Sequence, residues 1–357
     1  MQAIKTKLCK ATKKGLRAVA LNKSALAENN AWALKVPYDV RDEGMNDVLK
    51  AIESNQAKIE KGSLKHFELA FRSAKDEQQS LVIHSKHWKH KTGVYSDLCG
   101  ENMKSSEPLP VELDHDCRLT RTRLGHYYLC LCLPNGSENQ ALEPQKHHTI
   151  ALDPGVRTFL TGYDADGQIV EWGTKDMSRI YRLCKAVDNM QSRWSQTTHR
   201  KRYKLKRAAR RIRLKIRNLV DELHKKCSTW LCRNYKSVIL PVFESSNMVI
   251  KGQRKINSKT ARSMLTWAHY RFRQRLLNKS REYNQCHIVL TEEPYTSKTC
   301  GRCGWFHQRL GGNKTFKCQS CGLCIDRDVN GARNIMLRHL TLSCPLVDSV
   351  GSQPLDL

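Results

Sequence analysis

Residues 292–335 hold two cysteine pairs and four acids within 44 positions: Cys300-x2-Cys303 and Cys318-x2-Cys321, flanked by Glu292, Glu293, Asp326 and Asp328. Four thiolates in two CxxC pairs, fourteen residues apart, match tetrahedral structural zinc. Such a site leaves no coordination position for substrate or water, so its zinc is structural. A glycine follows each pair, Gly304 and Gly322, and permits the tight turn that a metal knuckle needs. Cys324 reads as a bystander able to compete as a ligand. The other ten of the fifteen cysteines read as small buried hydrophobes.

The acids suit different chemistry. Carboxylates from separate chain segments that converge can hold two Mg2+ ions ~3.5–4 Å apart for phosphodiester hydrolysis. Asp153 ends an apolar strand, "TIALD", just before Pro154-Gly155. Glu292 and Glu293 end a second, "HIVLTEE", and Asp326 and Asp328 stand between the second cysteine pair and a last helix. Taken singly, each acid is explained as well by a turn or a helix cap. Their joint order beside the cysteine pairs, in a strongly basic chain, turns the reading to a nuclease core.

That basicity is large. The 357 residues carry 62 Lys plus Arg against 34 Asp plus Glu, a formal charge of +28. Nucleic acid is the expected partner for such an excess, and the absence of an uninterrupted apolar span argues against a membrane. The N-terminal residues lack a secretory pattern, so reduced thiols and a non-secreted protein are expected. The basic residues peak in "RKRYKLKRAARRIRLKIR", residues 200–217, with eleven Lys or Arg in eighteen positions. Arg200, Lys201, Arg202, Lys204, Lys206, Arg207, Arg210 and Arg211 are the candidate phosphate contacts. A solvated face or a nuclear-import signal explains a basic run equally simply; continuation into an amphipathic helix favours an ordered ridge that tracks phosphates.

These sites need an α+β multidomain scaffold to position them. Residues 1–65 read as helical, interrupted at Pro37 and the acidic "DVRDEG". Residues 66–134 read as a small β-rich domain built from "HFELAFRS", "QSLVIHSK" and "HYYLCLCLP". From residue 147 to 338 the pattern is a core. A strand ends at Asp153, a hairpin turns at Asp166-Gly167, and a helical hairpin spans 176–234. The strand "SVILPVF", a helix around "MLTWAHYRFRQRLLNKSREY", a further strand, the cysteine ribbon at 295–325 and a closing helix follow. Residues 339–357 are a tail.

"DPGVRTF", "TSKTCGRCG", "KCQSCG" and "DRDVNGARNI" resemble the RuvC-type nuclease and embedded zinc ribbon of the TnpB and Fanzor proteins, which are transposon-encoded relatives of type V CRISPR effectors. The resemblance runs from about Thr149 to Arg338, and more weakly through "VPYDVRDEGMNDVLKA" and "FELAFRS". It implies an RNase H-like (RuvC) nuclease core, a wedge-like β-domain and a recognition-like helical segment. It also implies a guide RNA, a DNA target, Mg2+-dependent cutting and, in a eukaryote, a nuclear place of action. Asp153 matches the family's first acid and Asp328 its last. The middle acid departs, because Pro241 stands where TnpB ends a strand with Glu. Glu293 matches the substitute position of the Fanzors, and Glu244 is the alternative. The N-terminal region also resembles an entry partway into the family's usual strand and helices. A nuclease-dead binding protein and a strand transferase are the competing readings; the Asp, Glu, Asp order with a ribbon before the last acid argues against the transferase.

Overall fold

The computed structural model describes residues 12–21, 28–69, 78–95, 102–132, 147–283, 285–291 and 296–343. It divides into two compact units, Met1–Leu133 and Pro134–Leu357. In the first, helices α1 (Lys13–Ala20) and α2 (Tyr38–Glu60) accompany an antiparallel sheet of β1 (Gln79–Ile83), β2 (Cys117–Arg121) and β3 (Tyr127–Cys130). Ile83, Val94 and Cys117 form its small core. The acidic stretch expected to break the helices lies inside α2. Pro37 alone ends the preceding segment, and it stands ahead of the first turn, where its missing N–H has no partner to lose. Asp42 is then held in a two-pronged pair by Arg17 (2.7 Å to each oxygen). Of "HFELAFRS", residues 66–69 form no strand and the remainder lies outside the described residues.

The second unit is built on a five-stranded sheet in the order β6-β5-β4-β7-β8. Its strands are β4 (His147–Pro154), β5 (Leu160–Asp164), β6 (Ile169–Trp172), β7 (Tyr235–Pro241) and β8 (His287–Thr291). The first three run antiparallel, whereas β4, β7 and β8 run parallel and are joined by helical crossovers. Asp164 fixes the β5–β6 turn by accepting the backbone N–H of Asp166 (3.0 Å) and Gln168 (2.7 Å), and Gly167 takes φ 83°.

Alternation along β4 and β7 supplies two faces. Ile150, Leu152, Val238 and Leu240 pack with Phe159, Leu231, Trp267, Phe272 and Leu276 on one side. Ala151 and Ile239 pack with Ile335 and Met336 on the other, beneath α7 (Arg327–Ser343). Asp153, two residues beyond Ala151, therefore belongs to the α7 face. The first face is covered by α3 (Asp176–Ser195), α4 (His199–Asn234), α5 (Ser258–Trp267) and α6 (His269–Ser280).

The single helix read from "MLTWAHYRFRQRLLNKSREY" is in fact two, because Ala268 adopts φ 52° and ψ 53°, a left-handed conformation that a non-glycine residue takes at a cost. The break aims His269 at the loop after β4, where its Nε2–H donates to the Gly155 carbonyl (3.1 Å). Trp267 Nε1–H donates to the neighbouring Val156 carbonyl (2.9 Å). His224 on α4 donates to the Trp267 carbonyl (2.9 Å), and both imidazoles stack on Phe159, at 4.9 and 5.0 Å. The Nδ1 atoms of both histidines are buried without a partner, so both rings are neutral.

Burial pushes His224 down to about 4 and His269 down to about 3, from an ordinary value of 6.5. Unfolding between those values and 6.5 takes up protons, so stability is full above pH 6.5 and falls as the pH drops toward 4. With two histidines the slope approaches about 2.7 kcal/mol per pH unit. Urea unfolding at pH 7, 6 and 5 measures it, and a flat profile would exclude the buried neutral pair.

Candidate functional site

Two separate constellations lie on the second unit. In the first, the four sulfurs of Cys300, Cys303, Cys318 and Cys321 lie within 4.8 Å of one another. Two of the separations are short, Cys300–Cys321 at 3.6 Å and Cys303–Cys318 at 3.5 Å. Zinc–sulfur bonds of ~2.3 Å put tetrahedral sulfurs about 3.8 Å apart, so the cluster fits a metal ion such as zinc. The two knuckles repeat one hydrogen-bond pattern. The N–H of Cys300 donates to the Trp305 carbonyl (2.8 Å) and that of Gly304 to Cys300 (3.0 Å). Cys318 to Leu323 (2.8 Å) and Gly322 to Cys318 (3.2 Å) repeat it, with Gly304 and Gly322 at φ 75° and 72°. The backbone N–H of Trp305 also draws the exposed Cys303 thiol down to about 6, toward the thiolate that a metal needs. Cys324 is exposed and stands outside the cluster.

The short hairpin β9 (Thr315–Lys317) and β10 (Cys324–Asp326) brackets the second knuckle and leads into α7. Asp326 and Asp328 divide their roles here. Asp326 Oδ1 accepts the Asp328 N–H (2.9 Å) and its other oxygen faces Lys314 (3.4 Å), so Asp326 caps the helix. Asp328 is left half-buried, and burial with the nearby Asp326 raises its carboxyl above the usual range.

The second constellation forms where β4 meets α7. A Cβ built on Gly331 would stand 2.5 Å from Asp153 Oδ2, and one built on Gly155 would stand 4.0 Å from Asp328 Oδ2. The acid of β4 is thus packed against the helix that carries the second acid, one turn in from its start. Asn330 and Asn334, one helical turn apart, both donate to the Thr299 carbonyl (2.7 Å each), and Asn330 Oδ1 accepts the Gly301 N–H (3.0 Å). These bonds join the first cysteine knuckle to the helix that starts at the acids. Sequence reasoning passed over Gly331, Asn330 and Asn334. A glycine inside a helix with asparagines spaced by four was the available sign.

A methyl group at residue 331 collides with the Asp153 carboxylate. Gly331→Ala should therefore displace that carboxylate by about 1 Å and, if the acids serve the phosphodiester hydrolysis expected from the sequence, lower cleavage about 10²-fold at unchanged metal content. Equal cleavage rates for the variant and the parent would show that Asp153 has no fixed place in the chemistry.

The remaining site residues fall as follows. The β4–β7 register pairs Ala151 with Ile239; two residues on, Asp153 is level with Pro241, which itself pairs with Thr291. Glu292 and Glu293 lie outside the described residues. Glu244 is exposed beyond β7, where its carboxylate accepts Asn247 Nδ2 (2.6 Å) at a single helical turn. On α4, which extends for 36 residues, Arg200, Lys201, Arg202, Lys204, Lys206, Arg207 and Arg211 are exposed and Arg210 is half-buried. Trp194 of α3 lies beneath Lys206 and Arg213 at 6.0 and 5.9 Å. Arg202 donates to the Trp194 carbonyl (3.0 Å) rather than to an acid. Among the described residues, no helix is long and apolar enough to cross a membrane.

Residues 269–335, which span α6, β8, the cysteine site and the start of α7, match the model of the Cas12f1-like TNB domain. A protein of Paramecium bursaria Chlorella virus 1 with a transposase name is 29% identical over 323 residues, covering 88% of this chain and 72% of that protein. A TnpB-like protein of Acanthamoeba polyphaga mimivirus is 27% identical, covering 77% of this chain and 52% of that one. InsQ of Escherichia coli, whose name is that of an RNA-guided DNA endonuclease, is 28% identical over 55% of this chain and 50% of its own. The chain thus spans about half the length of the last two.

Proposed function

We propose that this chain, a protein of the TnpB/Cas12f type, is an RNA-guided DNA endonuclease of a transposable element. Its core would be RNase H-like (RuvC), cutting by two-metal-ion hydrolysis. The observation that carries the reading is the packing of Asp153 against Gly331, one turn into the helix that carries Asp328 near its start. It places acids from segments 175 positions apart in the chain at the start of one helix, an arrangement that suits the chemistry. An antiparallel trio of strands continued by two parallel ones supports the RNase H-like reading. The name carried by InsQ supports the kind of reaction.

Asp153 and Asp328 are the chain's hard oxygen donors for Mg2+, which when bound would supply Lewis acidity to the attacking water and the leaving oxygen. A cation beside Asp328 would also offset the burial and the Asp326 charge that raise its carboxyl. Glu293 is the third donor in this reading. It follows Thr291 by two positions, and Val289, two before Thr291, packs on the α7 side of the sheet. Glu244 remains the alternative; its bond to Asn247 and its exposure favour a helix-capping role.

The four cysteines hold structural zinc, and the ribbon at 295–325 anchors the acid-bearing helix. Arg200 to Arg211 of α4 track phosphates of a guide–target heteroduplex through its backbone and shape. Residues 66–134 would be the wedge-like domain and 1–65 the recognition-like segment. The test is purification of the chain with whatever RNA it retains, sequencing of that RNA, and incubation with matching and mismatched DNA in Mg2+. Cutting of the matching DNA alone supports the reading. Retained RNA without cutting would make the chain a binding protein, and no retained RNA would exclude guided recognition.

A further inference from the structure

Arg157 stands four residues beyond Asp153, in the loop between β4 and β5, with its side chain exposed. A guanidinium carries five donors in a rigid fork. Among the described residues, the fork makes one hydrogen bond, from Nη2 to the Gly312 carbonyl (3.1 Å). Gly312 lies in the turn between the cysteine pairs, 155 positions away in the chain. That turn takes a second arginine in the same manner: Arg327, immediately before Asp328, donates Nη1 to the Gly311 carbonyl (2.9 Å). Gly311 adopts φ 60°, a conformation suited to glycine, at the point where the two carbonyls are presented.

Arg327 is the residue before Asp328, and Arg157 follows Gly155 by two positions. The loop carrying Arg157 abuts the Asp328 carboxylate at Gly155. An arginine in a loop beside a carboxylate can close on it as a two-pronged pair. Arg157 instead gives its hydrogen bond to a neutral carbonyl. The Asp328 oxygens are thereby left for cations, and the rest of the fork faces solvent. A fixed positive charge beside a cation-binding site is repelled by the cations unless an anion lies between them.

We propose that Arg157 binds a non-bridging oxygen of the phosphodiester being cut, held in reach by its bond to Gly312. The Gly311–Gly312 turn is then a bracket through which the cysteine ribbon sets the position of a substrate-contacting arginine. The proposal rests on the nuclease reading above. A phosphodiester is the anion of the right size and charge, and the guanidinium fork recognises its paired oxygens. No bond to Arg157 forms or breaks in this role; it fixes the phosphate and offsets charge that grows during attack.

The experiment uses the full chain purified with its RNA. The cut position is first mapped on matching DNA. Target strands are then made with either the natural phosphodiester or a neutral methylphosphonate at that position. Affinities are measured by fluorescence anisotropy with Ca2+ in place of Mg2+, so that binding is read without turnover. In the parent protein the neutral linkage should weaken binding. In Arg157→Gln the ratio of the two affinities should shrink about tenfold, the worth of one hydrogen bond to a charged group. The cutting rate should fall about 10²-fold, with partial recovery in Arg157→Lys, at unchanged zinc content and melting temperature. An unchanged affinity ratio in Arg157→Gln would overturn the proposal while the nuclease reading stands. So would a loss of zinc and melting temperature in both variants, since Arg157 would then be only a structural clasp. A parent protein that cuts no matching DNA would remove the nuclease reading and this proposal together.

Discussion

Asp153→Asn and Asp328→Asn should each lower DNA cleavage by about 10³-fold or more, while affinity for nucleic acid stays within about threefold of the parent. Either substitution removes one formal charge and keeps the shape of the side chain. In the proposed reading, what it takes away is a hard anionic ligand, and a bound ion is worth several kcal/mol of transition-state stabilisation. In that reading affinity is carried elsewhere, by the exposed cations of α4 among others, and phosphate contacts of that kind do not need the acids. Glu293→Gln should fall with them and Glu244→Gln should not, because Glu244 is exposed and already bonded to Asn247. Single-turnover cleavage in Mg2+ and filter binding in its absence separate the two effects. Retained cutting by Asp153→Asn would exclude that carboxylate as a ligand. Loss of cutting in Glu244→Gln alone would move the middle acid to the older family position.

Some of this arrangement was written plainly in the residues, and some was not. The run "TIALD" reads as a strand buried on both sides because apolar side chains occupy both alternating positions, and β4 does pack on both faces. The Asp166-Gly167 turn and the twin CxxCG knuckles were equally legible, since each depends on a few neighbouring residues with special backbone requirements. Features set by tertiary contact were not. Nothing local in "TWAHY" marks Ala268 as the break between α5 and α6; the left-handed turn is sustained by Trp267 and His269 reaching the carbonyls of residues 156 and 155. Spacing alone does not divide the roles of Asp326 and Asp328; the resemblance singles out Asp328, and the hydrogen bond from its N–H identifies Asp326 as the cap. Gly331 reads as a helix weakness until Asp153 is seen against it. The basic run at 200–217 identifies a cationic helix, but the burial of Ala209 and the stacking on Trp194 are what set which cations face outward.

Cys300→Ser or Cys318→Ser should release zinc, lower stability by several kcal/mol and remove cleavage as a consequence. The hydrophobic cluster under the ribbon is small: Leu310 and Phe316 are buried with the two inner cysteines, while Trp305, Leu323 and Ile325 are only half-buried. A cluster of that size cannot offset the entropy of ordering the segment, so binding of the metal is itself a major part of its folding free energy. The effect should then spread along defined bonds. Thr299 and Gly301 in the first knuckle are the partners of Asn330 and Asn334, and the knuckle backbone must be fixed for those bonds to persist. Loss of the knuckle frees the first turns of α7, where Asp328 stands, and withdraws the Gly311 and Gly312 carbonyls from Arg327 and Arg157. Cys324→Ser is the control. Cys324 is exposed and outside the sulfur cluster, so its replacement should change stability by no more than about 0.5 kcal/mol. Elemental analysis, thermal unfolding and cleavage assayed on the same preparations decide the matter. One zinc per parent chain, none in Cys300→Ser and parallel losses of stability and cutting are the expected set. Cutting that survives the complete loss of zinc would mean that α7 holds Asp328 in place without the ribbon.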